Sequence, residues 1–265
     1  MTEEHQLQEP PSAPQSSTSS TILPDTISNY AQHLLSHPPS TDTQEIETTI
    51  SRLNLFQHIE GGYFVETDRD KLLVPNPFQH LPALSNPTAT DDSPTRHAST
   101  TIFYLLTPRS PVGHFHRNRG RTVHTLHRGR GMYVLLDTNR RDSVTGKVPI
   151  ETFVVGHDLE KGERLQWIVE GGVFKASFLI PDRSDQQTVT KSNSPAAGGT
   201  GGTTSGDEGK NEAESSAGGL LITETVVPGF EYADHDFLTF EGMQELLVPE
   251  QVEELKWLLA RREKR

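Results

Sequence analysis

The sequence predicts an all-β fold, a sandwich or barrel of short strands with helices at both ends, and three observations carry that prediction. Runs of β-branched, aromatic and aliphatic residues recur between Tyr63 and Val227, among them 101–106, 133–136, 150–155 and 165–169. Glycine-marked turns separate them every eight to twelve residues or so, which is hairpin spacing and not the spacing of alternating strands and helices. Helical periodicity is confined to the two ends of the chain.

The chain has 265 residues, enough for one large domain or two small ones. Only 32% of them are hydrophobic, and the mean hydropathy is -0.57, so segments that build no core are expected beside one that does. With no cysteine, a disulfide framework and a thiolate zinc site are excluded. The first residues lack the basic flank and apolar stretch of a signal peptide, and no apolar run reaches membrane-spanning length, so cytoplasm is the expected compartment, with the nucleus open. The formal net charge of -12 argues against general nucleic-acid binding. Eight arginines nonetheless fall between Arg109 and Arg141, against the single acid Asp137. They form either a solvated basic edge or a mouth that attracts carboxylate or phosphate, to which guanidinium makes paired hydrogen bonds.

Taken in order, residues 1–22 are Pro, Ser, Thr, Gln and Glu and are expected to be a disordered tail. One domain then spans 23–265. Ile27, Tyr30, Ala31, Leu34 and Leu35 recur at helical spacing between Pro24 and Pro38. A second helix starts near Thr43, with capping-box spacing from Thr41 to Gln44 and a stripe of Ile46, Ile50 and Leu53. Both should cover the outside of a sheet. Glu60-Gly61-Gly62 reads as a turn into a strand in which Phe64 and Glu66 share one face and Tyr63 and Val65 the other. Residues 75–98 read as a long surface loop. The stretch 100–137 then carries two strands, His114-Phe115-His116, and the run from Thr122 through His124 to His127. Residues two apart in a strand share a face, so His114 and His116 should point together, half of a metal site or a proton-transfer centre.

Strands follow at 150–155, 165–169 and 173–180. Residues 183–219 are Gly, Ser, Thr, Asn, Glu and Lys, a low-complexity insertion expected to be disordered at a hairpin tip. Lengthening a tight turn that far costs only about 2 kcal/mol of closure entropy. A strand returns at 220–227, and 249–262 reads as a helix with Val252, Leu255, Leu258 and Leu259 on its packing side.

Four motifs in this order resemble the type-5 subgroup of the cupin superfamily. Glu60-Gly-Gly-Tyr-Phe-Val-Glu66 is similar to its opening Glu-Gly-Gly-Tyr-Phe-x-Glu, and Thr101-Ile-Phe-Tyr-Leu-Leu-Thr107 to its first barrel strand. His114-Phe-His-Arg117 is similar to its His-x-His-Arg, and Val227-Pro-Gly-Phe-Glu-Tyr-Ala-Asp234 to its Ala-Pro-Gly-Phe-Asp-Phe-Ala-Asp. The resemblance implies a double-stranded β-helix, or jelly-roll barrel, that pairs as a homodimer through sheet edges, which need covering. In metal-binding cupins the first motif supplies two His and a Glu and the second one His. Here the Glu place falls on Thr122 and the second His place on Lys175, so no metal is expected.

Three functions follow. The first is a metal-independent cupin binding a small polar, anionic ligand, sugar- or nucleotide-sugar-like, as an isomerase or epimerase. His114, His116 and Tyr63 would be its catalytic residues, with Glu66, Arg117, Thr122, His124 and Lys175 binding ligand. The second is a metal-dependent dioxygenase or isomerase using His114, His116 and His124, and the third a non-catalytic sensor or scaffold.

Overall fold

The computed structural model describes residues 22–84, 88, 90, 93–182 and 218–260. The expected disordered tail, apart from Ile22, and residues 183–217 of the low-complexity insertion lie outside the described residues.

Two helices lead, α1 (Asp25–Ser36) and α2 (Gln44–Leu53). The cap of α2 is Thr43, whose Oγ1 accepts from the Ile46 amide at 3.3 Å, so the start falls two residues beyond the Thr41 box. Thirteen strands follow among the described residues: β1 (Phe56–Gln57), β2 (Tyr63–Arg69), β3 (Leu73–Pro75), β4 (Thr95–His97), β5 (Thr100–Leu106), β6 (Val112–Asn118), β7 (Arg121–Arg128), β8 (Gly131–Leu136), β9 (Ile150–Val155), β10 (Gln166–Val169), β11 (Phe174–Leu179), β12 (Leu220–Val227) and β13 (His235–Phe237). Two short helices, α3 (Phe240–Leu246) and α4 (Pro249–Leu255), close the fold.

The strands form a six-stranded sheet in the order β1-β2-β5-β12-β7-β10, a five-stranded sheet in the order β13-β6-β11-β8-β9, and the hairpin β3-β4. The two large sheets face each other across an interior filled by Tyr104, Leu126, Tyr133, Trp167, Val169 and Ile222. The outer face of the five-stranded sheet buries Phe115, Val134, Ala176 and Phe178 against Ala31 of α1 and Met243, Val252 and Leu255 of α3 and α4. On the other outer face, Leu105, Tyr63 and Val65 pack on Ile46 and Ile50 of α2. The five-stranded sheet is thus covered on both faces, which is why every position of β8 and β11 is buried and β8 reads as an unbroken apolar run.

Three expectations are corrected. The connection spanning 183–217 is no hairpin: β11 and β12 lie in different sheets, and the chain crosses between them there. The loop 75–98 contains β4, held because the buried Arg96 reaches Asp234 at 3.1 Å. The last helix is α4 followed by a 3-10 turn, Lys256–Leu258, and Val252, Leu255 and Leu258 are buried as the periodicity demands. Among the described residues no helix is long and apolar enough to cross a membrane.

Candidate functional site

The turn before β2 sets up the site. Gly61 has φ +96°, and a Cβ there would sit 2.0 Å from the Val112 carbonyl oxygen, so only glycine lets this turn lie on β6. The His114 amide donates to the Glu60 carbonyl at 2.7 Å, and the Tyr104 hydroxyl to the Gly61 carbonyl at 2.8 Å. The Glu60 side chain is thereby carried into the barrel, where three imidazoles meet it. His235 Nε2 donates to Oε1 at 2.7 Å, while His58 Nδ1 and His116 Nε2 each lie 3.3 Å from Oε2.

Burial alone would push the Glu60 carboxyl up, but His116, His58 and the His235 hydrogen bond outweigh it and hold it well below the usual carboxylate range. Burial pushes His116 down to about 3. His116 Nδ1 donates to the His114 carbonyl at 2.8 Å, so the neutral ring turns a bare Nε2 lone pair toward the Glu60 carboxylate. Two acceptors face each other without a proton between them.

A second buried cluster adjoins the first, because Lys175 of β11 pairs with His116 of β6. Lys175 Nζ donates to Glu224 at 2.5 Å and to His124 Nε2 at 2.9 Å, and the His124 ring stacks on Trp167 at 5.0 Å. Burial opposes ionisation of Glu224, but the Lys175 ammonium prevails and drives its carboxyl far down. Burial and then Lys175 push His124 down, so it accepts as a neutral ring.

Both clusters border a cavity of about 140 Å³ inside the barrel. Glu60, His116, Glu224 and Asn118 form its polar floor, with Phe64, Ile102, Val226 and Phe230 as apolar walls; Glu66, Arg69, Glu231 and Tyr232 also line it. Arg69 holds Glu66 with two hydrogen bonds of 2.8 and 2.9 Å and Glu231 with one of 2.9 Å. A larger groove of about 730 Å³ lies along 237–241 and Leu259, and of the buried polar network it touches only His235.

The expected site residues divide. His116 and Glu66 line the cavity. Lys175 and His124 stand behind Glu224, and Thr122 is buried on the same inward face of β7. His114 does not line the cavity: the register between β6 and β11 shifts between His116 and Gly113, and its ring lies under the Gly61 turn. Tyr63 packs with α2 on the opposite face of β2. Arg117 lies outside the barrel, paired with Asp236 at 2.8 and 3.0 Å and stacked over Phe174. Six of the eight central arginines are ion-paired, to Asp137, Asp234, Asp236, Glu45, Glu163 and Glu170, so the basic stretch makes no open anion mouth.

His114, His116 and His124 do not fit a metal ion. His124 turns its Nε2 to an ammonium that would repel a cation, and among the described residues no three His, Asp or Glu side chains are grouped to hold one. The reading of the sequence missed His58, Glu60, Asn118, Glu224 and His235. Glu224 was legible: it is the one charged side chain among the inward positions Leu220, Ile222, Glu224 and Val226 of β12.

The fold and the motifs agree with known proteins. An uncharacterised protein of Saccharomyces cerevisiae is 36% identical over 222 residues, covering 83% of this chain and 87% of its own. A hypothetical protein from Leishmania major superposes with a TM-score of 0.55 at 28% identity, covering 83% of this chain and all of its own. A Shewanella oneidensis protein known from a crystal structure superposes at 0.51 over the same share at 21% identity, again along its whole length, a likeness of fold. The model of the Cupin_5 family, described as cupin superfamily (DUF985), matches residues 47–238, and the chain belongs to that family.

Proposed function

We propose that this cupin binds a small polar ligand in the barrel cavity and moves a proton on it, as an isomerase or epimerase does. One observation carries the reading: the bare Nε2 of His116 faces the Glu60 carboxylate at 3.3 Å on the cavity floor. A buried acceptor pair without a donor is costly, and a ligand hydrogen placed between the two turns repulsion into a shared hydrogen bond. A proton that the pair takes up belongs to both groups. His235 and His58 fix the carboxylate, and the His114 carbonyl fixes the imidazole tautomer. No metal enters the proposal. Arg117 and Lys175, the cations expected to draw an anion, are neutralised by Asp236 and Glu224, so the anionic preference is dropped.

The test is a thermal-shift screen of small polar metabolites against the wild type, Glu60→Gln and His116→Gln. A ligand at a hundred times its Kd stabilises by about 2.7 kcal/mol, and the shift should be missing in both variants. Hits incubated in deuterium oxide should exchange a carbon-bound hydrogen next to a carbonyl. Ligands that shift all three proteins equally would refute the site. Binding without exchange would leave a sensor.

A further inference from the structure

The cavity is charged in one sense. Four carboxylates stand on its wall, Glu60, Glu66, Glu224 and Glu231, against one guanidinium, Arg69, and the ammonium of Lys175 behind Glu224. Arg69 divides its donors between Glu66, Glu231 and the Phe230 carbonyl, and Lys175 divides its own between Glu224 and His124. The cations are thus engaged, and the charged groups left over are carboxylates, while His58, Thr100 and Tyr232 add neutral groups able to donate. His116 is only 5% exposed and offers a bare Nε2 beside Glu60 Oε2. Asn118 adds an Oδ1 that is shut off from solvent and meets no donor among the described residues. On the sides, Phe64 and Phe230 supply aromatic rings, whose faces favour a cation.

We infer that the barrel ligand is a small organic amine, bound as its ammonium between Glu60 and His116 with its apolar body between Phe64 and Phe230. The inference rests on the cavity's being the ligand site. An ammonium has three N–H donors and no acceptor, the complement of Glu60 Oε2 and His116 Nε2 side by side on a carboxylate-rich lining. A carboxylate or phosphate there would face the Glu60 carboxylate and a wall whose carboxylates outnumber its cations. An alcohol offers one donor and a lone pair that gains nothing.

The test uses matched probes. Benzyl, cyclohexylmethyl and n-butyl bodies each carry an ammonium, a hydroxyl or a carboxylate, and the full-length protein, labelled at histidine, is titrated by NMR while the His116 ring resonances are followed. Amines should bind at least tenfold more tightly than the alcohols of the same body, and carboxylates more weakly still. In Glu60→Gln the amines should lose that tenfold advantage. The wild-type series decides the matter even if that variant fails to fold. Carboxylates that move the His116 resonances as well as amines do would overturn the amine and leave the cavity as the ligand site. Should none of the probes move them at about 20 mM, a concentration that reveals even millimolar affinity, the cavity reading and the amine fall together.

Discussion

Replacing Lys175 by methionine tests the second buried cluster. Lys175 is 3% exposed and Glu224 7%, so the variant leaves a carboxylate in the barrel without its ammonium. Breaking a buried pair in this way costs about 3–5 kcal/mol. Part is recoverable here: His124 Nε2, 3.3 Å from Glu224, can shift tautomer and donate, and one hydrogen bond to a charged group returns about 1.5 kcal/mol or more. The expected loss is therefore at the low end, about 3 kcal/mol. In urea that is a midpoint lower by roughly 1–1.5 M at unchanged slope. The double variant Lys175→Met/Glu224→Leu, with no charge left to strand, should lie closer to the wild type than the single one.

The pH dependence separates this from lost packing. In the wild type the Glu224 carboxyl is depressed, so its contribution is present above the carboxylate's unfolded value and is lost as pH falls. In Lys175→Met only burial and weak partners remain, the carboxyl rises, and the variant gains stability as pH falls through that raised value. The two stability curves should converge toward acid. A loss below about 1 kcal/mol, or a deficit constant between neutral pH and the carboxylate range, refutes the reasoning.

Other outcomes follow from the same geometry. His116 is held near 3 among Glu60, His235, Lys175 and Glu224; a depressed imidazole costs stability once pH falls below its unfolded value of about 6.5, so by about pH 5 the wild type should lose about 2 kcal/mol that His116→Gln does not, measured by urea melts across pH. Arg96→Met strands Asp234 with only Arg119 at 3.3 Å and should cost about 3 kcal/mol by the same measurement. Gly61→Ala must move the turn off Val112 and should cost more than about 1 kcal/mol, with the His116 resonances displaced in the NMR spectrum.

The architecture was legible because alternation and turn glycines are local signals. Sheet membership is not: nothing in 173–180 or 220–227 says that the strands on either side of the insertion join different sheets. Within the site, the alternation was itself informative and corrects two expectations. Tyr63 is out of phase with Phe64 and Glu66, and Arg117 with His116, and both face away from the cavity. His114 has the right phase but meets a register shift, which no spacing reveals. Glu60 was hidden for another reason: its role depends on a turn that lies on a strand more than fifty positions away, and the two glycines beside it were the only mark of that approach.

The two clusters are built from the same residue types and differ in one thing, the supply of protons. Around Glu224 a lysine brings enough donors to satisfy both the carboxylate and His124, and the network closes on itself behind the wall. Around Glu60 two of the three imidazoles are spent, since His235 gives its Nε2 hydrogen to Oε1 and His116 its Nδ1 hydrogen to the His114 carbonyl, while His58 Nδ1 stands 3.3 Å from Oε2. One oxygen and one ring nitrogen are left facing each other where the cavity begins. Apolar residues of the same shape would have avoided that cost, as Leu126, Val169 and Ile222 do in the barrel interior. The proposed ligand donor would meet that buried pair of acceptors at the cavity's edge, where the protein itself places no proton between them.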